Sequence, residues 1–292
     1  ADQGTVFIES NDAAISGGNN LKYVKMVAGG TTHCVALKLD GTVWCWGDNT
    51  YGQLGNGNTV SQTTPVQVIG LSGVIDVAAG RTHSLALKAD GTVWAWGDCS
   101  WCQLGIGAEI DEGPMDIQPL PVLVPGLTNV IQVGAGGYHS VALKTDGSVW
   151  AWGANFTSQI GDGSSPDAVE MRNLPVQVAG LSNVIEISKY GYFHTLALRR
   201  DGTVWAWGQN LYGQIGDGTK IDVNIPKKIL GISACKSIAA GYYRSYAVAT
   251  DGTVWAWGND PYNPYNTITI SPTKIPNLSS VKAMSDGYNH SL

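Results

Sequence analysis

Charge is scarce in this chain. Asp, Glu, Lys and Arg make up 14% of its 292 residues, and they sum to −6. That balance argues against a general nucleic-acid or anionic-membrane binder, since both need a basic patch. Long apolar runs are missing as well. None approaches the roughly 18 residues that a membrane-crossing helix requires, so no membrane insertion is expected. No secretory leader is recognisable at Ala1-Asp2-Gln3, which reads as a mature start after cleavage or as the boundary of a segment. Cysteine is sparse and odd in number, so at least one of Cys34, Cys45, Cys99, Cys102 and Cys235 is unpaired within the chain. Cys99-Ser100-Trp101-Cys102 is the CxxC segment. Free thiols, a local disulfide and a metal or redox pair all remain open for it, although no second pair or histidine at ligand spacing accompanies it.

Catalytic groupings are lacking too. There is no nucleophile elbow, no glycine loop leading into a helix to cradle phosphate, and no carboxylate pair tied to an apolar pocket. The expectation is a protein that is not an enzyme and that uses no cofactor and no metal.

What is abundant is glycine, at 38 residues, and one phrase. Asp90-Gly91-Thr92-Val93-Trp94-Ala95-Trp96-Gly97 returns almost unchanged at 40–47, 146–153, 201–208 and 251–258. Asp-Gly is a strong hairpin signal, and it predicts a two-residue turn with positive φ at both positions. The apolar segment His83-Ser84-Leu85-Ala86-Leu87-Lys88 precedes it. Alternation puts Trp94 and Trp96 on one face of the following strand and Val93 and Ala95 on the other. The turn glycines Gly41, Gly91, Gly147, Gly202 and Gly252 are spaced by 50, 56, 55 and 50 residues. Each unit adds a strand announced by proline (Pro65, Pro121, Pro175, Pro226, Pro272), expected at the first residue of an edge strand. A short strand such as Val74-Ile75-Asp76-Val77-Ala78-Ala79 follows. Four strands per roughly 50 residues is the signature of a β-propeller blade.

The fold expectation is therefore all-β: one β-propeller domain over 1–292 with four-stranded antiparallel blades. The chain stops inside the first strand of a sixth hairpin, at Tyr288-Asn289-His290, and starts on Gly4-Thr5-Val6-Phe7-Ile8, which reads as that hairpin's second strand. Six blades are expected, the last closed by N- and C-terminal strands, which removes the open edges.

One histidine per unit (His33, His83, His139, His194, His290, with Arg244 at the remaining place) points to one structural job repeated, a hydrogen bond to a backbone carbonyl near a blade turn. The in-register tryptophans read as blade packing, and Cys45, standing where other units have alanine, reads as a small buried residue. Two insertions break the period, at 107–117 and 163–172. The first carries four carboxylates; neither has calcium-loop spacing. Ser188-Lys189-Tyr190-Gly191 holds one extra residue, which predicts a bulge that re-aims Tyr192 and Phe193. Asn155-Phe156-Thr157, Asn277-Leu278-Ser279 and Asn289-His290-Ser291 match the glycosylation triplet.

Ala79-Gly80, then His83 to Leu87, then Asp90 to Gly97, then Gly52-Gln53-Leu54-Gly55-Asn56-Gly57 and Pro65-Val66-Gln67-Val68 together resemble the regulator of chromosome condensation repeat family. The resemblance implies a propeller, usually of seven blades, and functions as different as nucleotide exchange on a small GTPase, plant ultraviolet reception and secreted β-lactamase inhibition. Fold alone therefore does not choose among them. The photoreceptor reading wants a cluster of exposed tryptophans, and only Trp101 stands outside the repeat.

The inhibitor type, by resemblance, shares the terminal closure and binds through aromatic residues in the loops before the His strand. Here those loops bring Tyr138, Tyr192, Phe193, Tyr242, Tyr243 and Tyr288. The loops after the Trp strand emerge at the same end and bring Tyr51, Trp101, Phe156 and Tyr212, with Tyr262 in the same kind of place. Aromatic anchors gathered on a loop face make a protein-binding hot spot. The functional expectation is a non-enzymatic, monomeric protein-binding propeller acting through that face, with inhibition of a β-lactamase-type enzyme as its finer form. The alternatives are nucleotide exchange on a small GTPase, with residues 109–117 as the wedge, and carbohydrate binding, with Asn49, Asn155 and Asn210 beside the rings. Low charge with abundant Thr, Asn and Gly points to an extracellular or envelope location, with the cytoplasm as the alternative.

Overall fold

A computed structural model describes residues 21–107, 117–259 and 268–285. Within them lie twenty strands in five four-stranded sheets. The first blade is β1 (Val24–Gly29), β2 (His33–Lys38), β3 (Val43–Gly47) and β4 (Gln62–Gln67). The second is β5 (Val74–Ala79), β6 (His83–Lys88), β7 (Val93–Asp98) and β8 (Ile117–Leu123). The third is β9 (Val130–Ala135), β10 (His139–Lys144), β11 (Val149–Ala154) and β12 (Met171–Gln177). The fourth is β13 (Val184–Ile187), β14 (His194–Arg199), β15 (Val204–Gly208) and β16 (Val223–Lys228). The fifth is β17 (Cys235–Ala240), β18 (Arg244–Ala249), β19 (Val254–Gly258) and β20 (Thr269–Lys274). Every strand pairs antiparallel with its chain neighbour inside its own sheet. The fold is an all-β propeller. The expected sixth blade rests on the two ends of the chain, outside the described residues.

The strands β1, β5, β9, β13 and β17 touch one another from blade to blade and line the axis, which leaves the proline strands outermost. Two local expectations change. The Asp-Gly turn has positive φ only at the glycine, 80° at Gly91, because the loop is three residues long: Gly91 N–H donates to Lys88 C=O at 2.9 Å and Lys88 N–H to Thr92 C=O. That is a type I turn closed by a glycine bulge. Asp90 is selected by its side chain, whose Oδ1 accepts from Thr92 N–H (3.0 Å) and Thr92 Oγ1 (2.6 Å). The prolines, in turn, sit inside their strands and not at the start. Gly47 faces Gln62 but Cys45 faces Val66, so Thr63, Thr64 and Pro65 bulge opposite Trp46. The same shift recurs in the other four blades. A residue without N–H is harmless in an edge bulge.

The apolar core lies between blades, not within one. Val35, Leu37, Val43 and Cys45 of the first blade pack on Ala86, Trp94 and Trp96 of the second. The pattern repeats down to Leu196, Leu198, Val204 and Ala206 against Ala247, Trp255 and Trp257. Trp96, Trp152, Trp207 and Trp257 are fully buried. Each indole N–H donates backward, Trp96 to Gln53 C=O at 2.9 Å and Trp152 to Gln103 C=O at 2.9 Å, with Gln159 and Gln214 serving the next two. The loop glycine explains how the ring gets that close: a Cβ on Gly105 would stand 2.5 Å from Trp152 Cδ1.

The histidines complete this clasp, and their partner differs from the expected carbonyl. His33 Nε2 lies 2.8 Å from Ser84 Oγ in the next blade, and His83, His139 and His194 meet Ser140, Thr195 and Ser245 in the same way. Ser84, Ser140 and Ser245 spend their single hydroxyl proton on the carbonyls of Gln53, Gln103 and Gln214, so the imidazole Nε2 is the donor. Nδ1 is buried with no protein partner among the described residues. Desolvation accordingly holds the pKa of His33 and His139 down at about 4 and that of His83 and His194 at about 3. Neutral histidine hydrogen-bonding across a blade seam is a structural role; sequence spacing found the role and missed the partner.

Near the axis a second set of bonds ties the inner strands. Gln132 Oε1 accepts from Ile187 N–H (2.9 Å) and its Nε2 donates to Ile187 C=O (3.0 Å). Asp76 Oδ2 accepts from Val133 N–H (3.1 Å). Lys189, in the segment with the extra residue, forms an ion pair with Asp76 two blades away and donates to Val133 C=O. No disulfide joins the five cysteines. Cys45 is fully buried at its alanine position, and Cys99 and Cys102 are buried as well, with Cys102 Sγ 3.6 Å from Met171 Sδ.

Candidate aromatic binding face

The clasp sets the geometry of one end of the propeller. The residue just before each His strand prolongs the hairpin by one bond: Tyr138 C=O accepts Ala154 N–H, Phe193 C=O accepts Gln209 N–H, and Tyr243 C=O accepts Asn259 N–H, all at 2.9 Å. Side chains at that position therefore project from a fixed backbone. The loops after the Trp strands are equally constrained. A glutamine two residues downstream pins the aromatic position, with Tyr51, Trp101 and Tyr212 N–H donating to Oε1 of Gln53, Gln103 and Gln214 at 2.8–2.9 Å. Asn49, Asn155 and Asn210 hold the same loops from inside, each accepting a backbone N–H five residues on. Binding loops on a rigid scaffold lose little entropy on engagement.

These elements bring eight of the ten sequence-predicted residues into one ring-to-ring network. Trp101 meets Tyr138 at 6.3 Å and Phe156 at 5.5 Å between ring centres. Tyr138 contacts Phe156, Tyr192 and Phe193 at 5.8, 5.9 and 6.1 Å. Tyr192 lies 4.5 Å from Phe193 and 4.2 Å from Tyr242. Tyr242 meets Tyr243 at 4.1 Å, and Tyr243 meets Tyr212 at 4.1 Å. Most pairs are edge-to-face, which suits aromatic quadrupoles. Exposure separates the roles. Trp101 is 38% exposed, and Tyr138, Phe156, Phe193, Tyr212, Tyr242 and Tyr243 are half-buried. Tyr192 is only 6% exposed and forms the base on which Phe193 and Tyr242 rest. Tyr51 makes no ring contact with the set among the described residues. Tyr288 and Tyr262 lie outside the described residues.

Two residues that the aromatic count passed over join the site. Tyr190, from the extra-residue segment, contacts Tyr192 at 6.5 Å. Arg81 lays its guanidinium over Tyr138, with Cζ 4.9 Å from the ring centre. Arg81 was findable: it holds the repeat position taken by Tyr192 and Tyr242 in later blades. The Tyr192 phenol is driven upward in pKa by burial, partly opposed by the charge of Arg81. The Tyr243 phenol is raised by burial and by its bond to Tyr242. Both stay protonated at neutral pH.

In the first two blades the same positions are polar. Thr82 Oγ1 donates to Asp98 at 2.9 Å, and Thr32 Oγ1 lies 3.5 Å from Asp48. Burial pushes the Asp48 pKa up, but bonds from Thr50, Ser61 and Gln53 together outweigh it, and the carboxyl is held below its usual value.

The carbohydrate expectation loses its polar groups here. Asn49, Asn155 and Asn210 are fully buried, and their amides are consumed inside their own loops; Asn155 Nδ2, for example, donates to Ser164 Oγ and Val169 C=O. Burial also removes Asn155 as a glycosylation acceptor in the folded chain. The second insertion is a pinned loop, closed by the Arg172–Asp162 ion pair. Most of the first lies outside the described residues. No grouping of metal-ligating side chains occurs among the described residues, and no helix there is long and apolar enough to cross a membrane.

The RCC1-like domain family matches residues 6–292. The ultraviolet-B receptor UVR8 of Arabidopsis thaliana is 31% identical over 214 residues, 72% of this chain and 47% of that protein. The E3 ubiquitin-protein ligase HERC2 of Homo sapiens is 31% identical over 74% of this chain but only 4% of its own length, and protein pim1 of Schizosaccharomyces pombe is 29% identical over 75% and 43%. The chain thus spans less than half the length of these relatives. Among solved structures, yeast RCC1 (Prp20), seen bound to Kap60, superposes with a TM-score of 0.75 at 27% identity, covering 92% of this chain and 67% of the other. Human WBSCR16 gives 0.76 at 23% identity, covering 92% and 71%, and shows the fold alone.

Proposed function

The chain belongs to the RCC1-like domain family, and on that footing we propose that it is a non-catalytic binding propeller that engages a protein partner through its aromatic loop face. The observation that carries this reading is the continuous set of rings from Trp101 to Tyr212, held on one end of the propeller and largely half-buried. Large rigid rings offer contact area at low entropic cost, and they dominate the energy of protein interfaces. Relatives are consistent with protein binding: yeast RCC1 (Prp20) is seen bound to Kap60. The finer reading is that the partner is an enzyme of the serine β-lactamase kind, blocked by the rings; the loop aromatics and the resemblance of the repeat support it. Nucleotide exchange on a small GTPase is the second reading, and its wedge candidate falls mostly outside the described residues.

The test is binding of the chain, and of a Phe193→Ala/Tyr243→Ala variant, to immobilised serine β-lactamases, nucleotide-bound small GTPases and a glycan array. Phe193 and Tyr243 are chosen because Tyr192 is buried, and its loss would unsettle the base of the network. Binding to a protein set that the double variant loses, while still melting cooperatively, supports the proposal and selects the class. Binding that the double variant keeps, or binding to glycans alone, overturns it.

A further inference from the structure

The aromatic platform carries a positive charge that no described residue neutralises. Arg81 comes from the loop between β5 and β6, and its guanidinium lies over Tyr138. No hydrogen bond or ion pair joins its side chain to another described residue. Three other cations are paired instead: Lys189 holds Asp76, Arg172 holds Asp162, and Lys227 holds Asp217. A guanidinium stacked on a ring is oriented by it and still has its planar fork of N–H donors free at the edge. The surrounding rings lower the local dielectric, which strengthens any charge pair formed there once a partner covers the site.

That fork matches a carboxylate, which it can take with two parallel bonds. A phosphate fits less well. It carries up to two charges, the inner-ring cation Lys189 is already paired with Asp76, and the chain as a whole is at −6. We propose that Arg81 is a specificity-determining residue of the aromatic face, taking the carboxylate of an Asp or Glu that the bound protein presents on an otherwise apolar loop. The apolar residues beside that acid lie on Tyr138, Phe193 and Trp101. This inference rests on the reading that the face binds a protein.

The probe is a phage-displayed library of disulfide-closed peptide loops, selected on the whole chain. The expected outcome is a pool carrying Asp or Glu at one fixed position between apolar residues. A synthetic loop from that pool, with its acid replaced by the matching amide, binds the wild-type chain about tenfold more weakly, as expected for a lost charged bidentate bond. The same exchange changes binding to an Arg81→Gln variant by less than about twofold, and Arg81→Lys, which keeps the charge without the fork, falls between. Cooperative melting of both variants confirms that they fold, and the acid-to-amide comparison on the wild-type chain needs no variant at all. A pool without acidic enrichment that the Phe193→Ala/Tyr243→Ala chain no longer binds overturns this inference and leaves the proposed function standing. So does an acidic loop that binds Arg81→Gln as tightly as the wild type. A pool that survives the double variant lies off the platform, and it overturns the proposed function and this inference together.

Discussion

The loop ends of the first two blades and of the third to fifth share one backbone design and differ in what they present. In both regions a His strand, a Trp strand and a glutamine loop are clasped to the neighbouring blade by the same bonds. At the position before the histidine, the first region has Thr32 and Thr82, each turned to an aspartate at the end of the Trp strand. The second has Tyr138 and Phe193, and Tyr243 before Arg244, which have no such aspartate and pack on other rings instead. The lesson is that buried positions repeat because packing between blades dictates them, while the exposed positions of an identical scaffold are free to differ. Scaffold and loop surface can therefore be changed separately.

If that separation holds, buried tryptophans should matter equally in both regions. Trp96→Ala and Trp152→Ala should each cost about 3–5 kcal/mol in urea unfolding, and should agree within about 1 kcal/mol, because both rings are fully buried in equivalent seams. A much smaller cost on one side would break the equivalence.

Binding should divide the regions instead. For a protein captured by the wild-type chain, Phe193→Ala/Tyr243→Ala should weaken affinity about 100-fold, the scale of hot-spot aromatics. Thr32→Ala/Tyr51→Ala should change it by less than about threefold by calorimetry. Equal losses would mean that the partner spans both regions.

The clasp hydroxyls are the next step down. Ser84→Ala and Ser245→Ala each leave a buried imidazole N–H without its acceptor, and each should cost about 1–3 kcal/mol. Guanidinium melts of the two variants side by side would sharpen the comparison, since one seam lies in each region.

The pH dependence should be shared, and its sign follows from the histidines. Their folded pKa values of about 3 to 4 lie below the ordinary 6.5, so the unfolded chain takes up protons first. Stability is complete above pH 6.5 and drains as the pH falls towards 4, by up to roughly 1.4 kcal/mol per pH unit for each histidine. Glu186 works in the opposite direction on a smaller scale. Burial raises its pKa to about 7, against bonds from Ile238 and Ser237, so its contribution is lost as the pH rises from 4.5 to 7. Urea midpoints at pH 4.5 and 7.5 should show the net acid loss, and Glu186→Gln should make it steeper. A flat profile would mean that the imidazoles are not neutral in the seams.

Much of this was legible in the residues. The period, the four strands per unit, the outer place of the proline strand and the in-register tryptophans follow from alternation and turn chemistry, which are local. The two-residue turn failed because Asp90 was read for its φ and not for the hydrogen bonds of its side chain. The prolines were placed at strand starts because a bulge is a matter of register, set by the partner strand. The asparagines looked like exposed sugar ligands, yet burial in the loops turned their amides inward.

By itself, then, the sequence determined the repeating unit and which loops carry aromatic side chains, because a hairpin is built from residues close in the chain. Only the tertiary structure decided which of those aromatics meet. Trp101 and Tyr212 are joined through Tyr138, Tyr192, Tyr242 and Tyr243, side chains from three further loops. Tyr51, from an equivalent loop, is left out, and Arg81 is brought onto Tyr138. Contacts between blades depend on how each sheet is set against the next, and that setting is fixed by the seam packing of buried side chains some 50 residues apart.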